Sequence, residues 1–83
     1  MNSYRIRYEK QAKKFIESRN PIEQKRILST ISKLPDGTDI VKMQGFERRY
    51  RLRIGDYRII YDKYDSYLLI IIVKIGNRGD VYK

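Results

Sequence analysis

The chain contains neither cysteine nor histidine, and the two absences exclude much of the chemistry that small proteins use. Without cysteine there are no disulfides and no zinc–thiolate sites, and the redox compartment stays undetermined. Without histidine, an enzymatic mechanism lacks the side chain whose pKa is best suited to proton transfer near neutral pH. Any catalysis by this chain must therefore rely on other acids, bases and cations.

Long apolar segments are also missing. The longest apolar run, Leu68 to Val73, is far shorter than the roughly 20 residues that a membrane-spanning helix needs. The first five residues do not contain the apolar core of a signal peptide. We therefore expect a cytoplasmic protein with no membrane partner. With 83 residues there is material for only one hydrophobic core, so residues 1–83 are expected to form a single domain.

Positive charge is what the chain has in excess. Nineteen Lys and Arg residues against ten Asp and Glu residues give a formal net charge of +9, although 41% of the residues are hydrophobic. Disordered chains combine high net charge with few large apolar side chains, so this composition predicts a folded, basic domain. Such a domain usually binds a polyanion, most commonly a nucleic acid, although an anionic membrane surface or an acidic protein would satisfy the same charge.

The N-terminal half of the sequence predicts one strand and two helices. Residues 4–8 alternate between apolar and basic side chains, as in a half-buried strand. Asn20, Pro21 and Glu23 occupy the positions of an N-cap, a first-turn proline and a capping-box carboxylate, so a second helix is expected to begin there and to end before Pro35. The apolar residues at helical spacing are Ala12, Phe15 and Ile16 in the first helix and Ile27, Leu28, Ile31 and Leu34 in the second.

The C-terminal half predicts strands. Residues 35–46 are expected to form a loop with Ile40, Val41 and Met43 against the core. The predicted strands are 48–54, 57–62 and 67–75, with a possible short last strand at 81–83. The order β-α-α-β-β-β predicts an α+β fold, in which a small and mostly antiparallel β-sheet packs both N-terminal helices on one face. The other face stays available for a ligand.

A two-residue turn at Gly55-Asp56 would make residues 48–62 a β-hairpin, and counting outward from the turn places Arg53 opposite Arg58. Paired residues share a face, so one face carries Arg49, Arg51, Arg53 and Arg58, which we call the arginine face. Like charges directly opposite each other cost roughly 0.2–1 kcal/mol per pair, and folding alone gives no reason for them. A solvated basic surface is the simpler explanation, but guanidinium groups also fork toward phosphate oxygens. We therefore expect Arg49, Arg51, Arg53 and Arg58 to bind RNA.

Three segments make the chain resemble the RelE/ParE toxin superfamily, in particular the RelE-type mRNA interferases of toxin–antitoxin systems. The segments are Tyr50 to Tyr61 (YRLRIGDYRIIY), Ile75 to Arg78 (IGNR) and Asp80 to Tyr82 (DVY). They follow the two helices and the loop ending in MQG in the order found in the family. The resemblance implies a toxin that acts as a ribosome-dependent endoribonuclease on mRNA in the decoding site and inhibits translation. It also implies a cognate antitoxin protein as partner, and neither a metal nor a small-molecule cofactor.

Carried over by position, the resemblance implies a catalytic set. It consists of Arg51, Arg53, Arg58, Arg78 and Tyr82, and well-known family members have lysines in place of the first two. In such a mechanism the 2′-hydroxyl of the RNA attacks the adjacent phosphate, the arginines stabilise the developing negative charge, and Tyr82 is the leading candidate for general base. Glu47 and Asp56 are the fallback bases.

Two other functions remain open at this point. ParE-type inhibitors of DNA gyrase share much of the hairpin motif, and there the basic face and Tyr82 would be scaffold or protein-contact residues. A non-catalytic module that binds RNA or the ribosome would use the same arginine face without chemistry. The joint presence of Arg58, Arg78 and Tyr82 favours the nuclease, because a gyrase inhibitor has no need for a convergent set of basic and phenolic groups.

Overall fold

The structure, a computed structural model, describes residues 3–77 and has the α+β fold that the sequence predicts. Its elements are β1 (Arg5–Tyr8), α1 (Lys10–Glu17), α2 (Pro21–Ile31), β2 (Ile40–Lys42), β3 (Arg49–Ile54), β4 (Tyr57–Tyr64), a 3-10 turn (Asp65–Tyr67) and β5 (Leu69–Asn77). No helix in this part of the chain is long and apolar enough to cross a membrane.

The five strands form one mixed sheet in the order β1-β5-β4-β3-β2. β1 runs parallel to β5, with Arg5 opposite Leu69 and Tyr8 opposite Ile72, whereas the other neighbouring strands are antiparallel. β5 therefore lies inside the sheet, between β1 and β4. Strands covered by neighbours and by helices are apolar along much of their length, which accounts for the run of isoleucines in β5.

Both helices pack on one face of the sheet, as predicted. The buried core consists of Ala12, Ile16, Ile27, Ile31, Leu34, Leu52, Ile54, Tyr57, Ile59, Tyr61, Ile70, Ile72 and Ile75. Two aromatic contacts stabilise it: the rings of Phe15 on α1 and Tyr57 on β4 meet edge to face at 5.7 Å and join helix to sheet, and those of the cross-strand pair Tyr50 and Tyr61 stack at 5.5 Å. Such pairs contribute about 0.5–1.5 kcal/mol beyond the area that they bury. Leu28 was expected in the apolar stripe of α2, but it is 41% exposed because its position lies at the edge of that stripe.

The start of α2 has half of the predicted capping box. Asn20 Oδ1 accepts a hydrogen bond from the backbone N–H of Glu23 at 2.9 Å, which satisfies one of the free donors of the first turn. The Glu23 carboxylate does not complete the box. Its Oε1 instead accepts a hydrogen bond from the Tyr57 hydroxyl at 2.9 Å, so Glu23 joins α2 to the sheet.

Part of the predicted loop 35–46 is a strand. β2 (Ile40–Lys42) pairs with β3, placing Ile40 opposite Leu52 and Lys42 opposite Tyr50. β4 and β5 also end later than predicted, at Tyr64 and Asn77, and the 3-10 turn between them places the start of β5 at Leu69 instead of residue 67. The predicted short strand at 81–83 lies outside the described residues.

A β-bulge in β5 decides which residues of this strand face the helices. Tyr61 lies opposite Ile72 and Ile60 lies opposite Lys74, so Val73 is the extra residue. Because a slip of one residue exchanges the two faces of a strand, the bulge directs Ile75 into the core and Lys74 to the opposite face. Gln11 of α1 stabilises this geometry, since its side-chain amide donates to the Ile75 carbonyl at 2.9 Å and accepts from the Ile75 N–H at 3.0 Å.

Candidate nucleic-acid interface

The hairpin formed by β3 and β4 has the predicted register. Gly55 has a φ of 55°, in the left-handed region that a tight two-residue turn requires. Arg53 lies opposite Arg58, and Arg51 lies opposite Ile60. The alternate residues of β3 and β4 belong to the core on the helix side. The structure thus places Arg49, Arg51, Arg53 and Arg58 together on the face of the sheet that points away from the helices.

At the turn end of the arginine face, Arg53 and Arg58 are held by different partners. Arg53 Nη2 lies 3.2 Å from Asp39 Oδ1, and both side chains of this ion pair are about half exposed. Arg58 Nη1 donates to the backbone carbonyls of Tyr57 at 3.1 Å and Gly55 at 3.3 Å. Exposed ion pairs and single hydrogen bonds to backbone carbonyls both contribute little to stability, so both guanidinium groups can exchange these partners for a ligand.

The middle of the arginine face combines charge with an apolar floor. Arg51 lies between Val41 of β2 and Ile60 of β4, and Ile60 is flanked on its other side by Lys74 of β5. Ile60 is only 5% exposed. An anion bound between Arg51 and Lys74 would rest on a surface of low polarity, where electrostatic attraction is stronger than in water. Lys74 was absent from the predicted site, because only the bulge in β5 brings it to this face.

Arg49 differs from the other three arginines. Its Nε and Nη2 donate to the two carboxylate oxygens of Asp62 at 2.8 and 3.0 Å, and its guanidinium lies 4.9 Å from the ring centre of Phe46. The Arg49 and Asp62 side chains are 30% and 14% exposed. The hydrogen bond to Asp62 raises the pKa of Arg49 above its ordinary value, so the guanidinium stays protonated. Arg49 was predicted to bind RNA, and in the structure its charge is matched by the carboxylate of Asp62. Continuing the count from the turn by one pair would have found Asp62.

The remaining predicted site residues are spread over the chain. Arg78 and Tyr82 lie outside the described residues, so the structure does not show where they stand relative to Arg51, Arg53 and Arg58. Of the fallback bases, Asp56 lies exposed in the hairpin turn, and the Glu47 side chain is 83% exposed and 3.5 Å from Arg48. Within residues 3–77, no group of three or more acidic side chains could hold a metal ion.

The arginine face can bind phosphate groups and stabilise negative charge that develops on them. Its cations project from paired strands, which hold them at fixed spacing, and guanidinium forks match the geometry of phosphate oxygens. Donors that are already oriented lower the energy of a charged transition state without having to reorganise during the reaction.

Comparison with known proteins points to toxins. The family model described as the ParE toxin of the type II toxin–antitoxin system parDE matches residues 6–82. No curated protein matches the sequence.

Among solved structures, a chain of the archaeal RelE-RelB complex from Pyrococcus horikoshii OT3 is 30% identical and has a TM-score of 0.78, with 96% of this chain and 99% of that chain covered. A chain of the RelB-RelE antitoxin-toxin complex from Methanococcus jannaschii is 26% identical with a TM-score of 0.74, and the coverage is 92% and 94%. The isolated RelE toxin of E. coli shares the fold at 17% identity, with a TM-score of 0.76 and coverage of 96% and 92%.

Proposed function

The chain belongs to the RelE/ParE superfamily of toxins from type II toxin–antitoxin systems, and we propose that it is a ribosome-dependent mRNA endoribonuclease that inhibits translation. The observation that carries this proposal is the arginine face. Arg53 and Arg58 are directly opposed on β3 and β4 with Arg51 beside them, although like charges in these positions oppose folding. Binding and cleavage of a phosphodiester chain by this surface would account for the crowding of the three arginines.

The proposed reaction uses the RNA as its own nucleophile. The 2′-hydroxyl loses its proton to a general base and attacks the adjacent phosphorus. The bond to the 5′-oxygen of the next nucleotide then breaks, and this oxygen takes up a proton. The products are a 2′,3′-cyclic phosphate and a free 5′-hydroxyl. The protein has to align the attack and stabilise the charge on the phosphorus oxygens.

Arg51, Arg53 and Arg58 supply the charge stabilisation in this mechanism, together with Arg78. Arginine is not deprotonated in proteins, so none of these four residues can act as the base. Tyr82 is assigned that role, because the chain has no histidine and the carboxylates of Glu47 and Asp56 lie exposed to solvent. A tyrosine is a weak base at neutral pH, which agrees with a requirement for the ribosome to complete the alignment of the mRNA.

Two partners follow from this proposal. The first is the ribosome carrying mRNA in its decoding site, which would place the protein in the cytoplasm. The second is a cognate antitoxin, since the archaeal relatives from Pyrococcus and Methanococcus were solved as RelE and RelB complexes. An antitoxin with an acidic or amphipathic segment would complement the net charge of +9.

The test is to express the wild type, Arg58→Ala and Tyr82→Phe in cells and to map the 5′ ends of mRNA. We expect breaks at fixed positions within codons in the wild type, and their loss in both variants. Purified wild-type protein should cleave mRNA on programmed ribosomes and leave free mRNA intact. Rapid cleavage without ribosomes would contradict the ribosome-dependent mechanism, and stable ribosome binding without any cleavage would indicate a binding module.

Inhibition of DNA gyrase is the second candidate function, because the family model that matches the chain is that of the ParE toxins. The same cells provide the test through a supercoiling assay on plasmid DNA. Intact mRNA together with blocked supercoiling would assign the protein to the gyrase inhibitors, whereas codon-positioned breaks with normal supercoiling would assign it to the interferases.

A further inference from the structure

A cleft lies at the end of the hairpin opposite the Gly55–Asp56 turn. Its volume is about 360 Å³, and we call it the tyrosine cleft; its lining consists of Glu47, Arg48, Lys63, Tyr64, Asp65, Ser66 and Tyr67. Tyr64 stands two residues after Asp62 on β4 and so belongs to the same face of the sheet. The cleft therefore continues the arginine face, about 14 Å along the strand from Ile60 at about 3.4 Å per residue.

The aromatic side chains of the cleft are available for stacking. Tyr67 is 69% exposed, and its ring centre lies 6.2 Å from that of Tyr64 with the planes tilted by 48°. The guanidinium of Arg48 lies 4.9 Å from the centre of the Tyr64 ring. Aromatic rings and guanidinium planes are the surfaces on which proteins stack the unpaired bases of single-stranded RNA.

The acidic groups of the cleft favour a base over a phosphate. Glu47 lies 3.5 Å from Arg48 Nη2, and Asp65 lies 3.5 Å from Lys63 Nζ, so the two carboxylates balance the two cations and leave no net charge to attract a phosphate. The same carboxylates can accept hydrogen bonds from the amino groups of nucleobases. The hydroxyl of Tyr4 donates to Asp65 Oδ1 at 2.6 Å and keeps this carboxylate in place. This hydrogen bond also lowers the pKa of Asp65, so the group remains an acceptor at neutral pH.

We propose that the tyrosine cleft binds an unpaired nucleobase of the RNA whose phosphates contact Arg51, Arg53 and Arg58. The arginine face holds the backbone of the strand, and the cleft receives a base from the same strand farther along the hairpin. The choice of RNA as the ligand rests on the proposed function. The cleft would thus add a preference among bases to a face that binds the backbone of any sequence.

The experiment compares two probes on the purified full chain. One is a five-nucleotide 2′-O-methyl RNA, which is not cleaved because its nucleophilic hydroxyl is blocked, and the other has the same backbone with abasic sites. Fluorescence anisotropy gives the affinity of each probe for the wild type, Tyr67→Ala, Tyr67→Phe and Arg51→Ala. Ile22→Ala serves as the matched control, because Ile22 is a 79% exposed apolar residue on α2.

We expect Tyr67→Ala to weaken binding of the base-bearing probe about tenfold and to leave the abasic probe unchanged. Tyr67→Phe and Ile22→Ala should bind both probes like the wild type. Arg51→Ala should weaken both probes and reduce the slope of log affinity against log salt by about 0.7. The proposal is overturned if the base-bearing probe binds no more tightly than the abasic one, or if Tyr67→Ala affects both probes equally. If the protein distinguishes the two probes but cleaves no mRNA on ribosomes, base binding in the tyrosine cleft is supported and the proposed nuclease activity is wrong.

Discussion

The Tyr57 hydroxyl donates a hydrogen bond to Glu23 Oε1 at 2.9 Å, and this contact fastens the turn end of the hairpin to helix α2. Arg26 lies one helical turn after Glu23, with Nη1 3.7 Å from the same carboxylate oxygen. A Cβ atom at Gly55 would be 2.5 Å from Arg26 Nη2, so the arginine lies directly against the turn. The position of Arg53 and Arg58 relative to the rest of the molecule therefore depends on α2 as well as on the sheet.

Replacing Tyr57 by Phe should lower the free energy of unfolding by about 1 kcal/mol, because the hydrogen bond to a charged acceptor is lost while the ring stays packed. Urea unfolding followed by circular dichroism measures the change. Tyr67→Phe is the control, since the Tyr67 side chain is largely exposed and its loss of a hydroxyl should leave the unfolding free energy unchanged. Equal stability of Tyr57→Phe and wild type would mean that the contact with Glu23 contributes nothing.

Replacing Arg58 by Ala should strongly reduce activity and leave stability nearly unchanged. Cleavage of mRNA on ribosomes should fall by about 10²–10³-fold, as when one oriented donor to a charged transition state is removed. The free energy of unfolding should change by less than about 1 kcal/mol, because the lost hydrogen bonds to backbone carbonyls are offset by relief of the repulsion from Arg53. Single-turnover cleavage and urea unfolding give the two values.

Lys25→Ala is the matched control for Arg58→Ala, because it removes one positive charge from the exposed side of α2. Its cleavage rate should remain within about twofold of the wild type. A comparable loss of activity in both variants would show that overall charge matters and that the place of Arg58 on the face does not.

Replacing Asp62 by Asn should free Arg49 to contact RNA. Binding of the non-cleavable RNA should become tighter, and the slope of log affinity against log salt should become steeper by about 0.7, which corresponds to one more phosphate contact. Stability should fall by roughly 1 kcal/mol, because the partly buried guanidinium loses its ionised partner. Asp36→Asn makes the same change of charge in an exposed loop. If Asp36→Asn tightens RNA binding as much as Asp62→Asn does, the effect comes from the change in net charge and not from a new contact of Arg49.

Stability should decrease in alkaline solution because of Tyr61. Burial of its hydroxyl, followed by the influence of Tyr50, raises the pKa of Tyr61 from 10.0 to about 12 in the folded protein. Folding favours the neutral hydroxyl of Tyr61. The stabilisation that this group provides is therefore complete below pH 10 and is lost as the pH rises to about 12. Urea unfolding between pH 9 and 12 should show a smaller loss in Tyr61→Phe than in the wild type. Tyr67→Phe should lose as much stability over this pH range as the wild type does. Identical pH profiles for all three proteins would contradict the assignment to Tyr61.

The register of the hairpin could be predicted because it depends on neighbours in the sequence. A two-residue turn at Gly55-Asp56 leaves only one way to pair the strands that flank it, and the predicted pairing of Arg53 with Arg58 is confirmed. The alternation of apolar residues then decides which face meets the helices. The arginine face and the opposite, core-facing side of the hairpin both follow from this local information.

Features that depend on distant partners could not be predicted in the same way. β2 has only three residues, too few for a recognisable alternation, and it becomes a strand only by pairing with β3. Lys74 reaches the arginine face through a bulge that Gln11 stabilises from another element. Glu23 satisfied a local capping pattern, yet its carboxylate binds Tyr57, 34 positions away in the sequence. In each case a tertiary contact outweighs the local preference.

The parallel pairing of β1 with β5 also determines when the sheet can form during synthesis. β1 emerges from the ribosome first, but its partner begins at Leu69, 64 positions after Arg5. β1 can pair with the sheet only after residues 69–77 have been synthesised, and the bulge that places Lys74 on the arginine face can form only then. Contacts between such distant segments form slowly and late. The order of the strands thus lets the hairpin with its four arginines form early, whereas the sheet around it and the placement of Lys74 beside Ile60 are completed only when the described part of the chain is nearly finished.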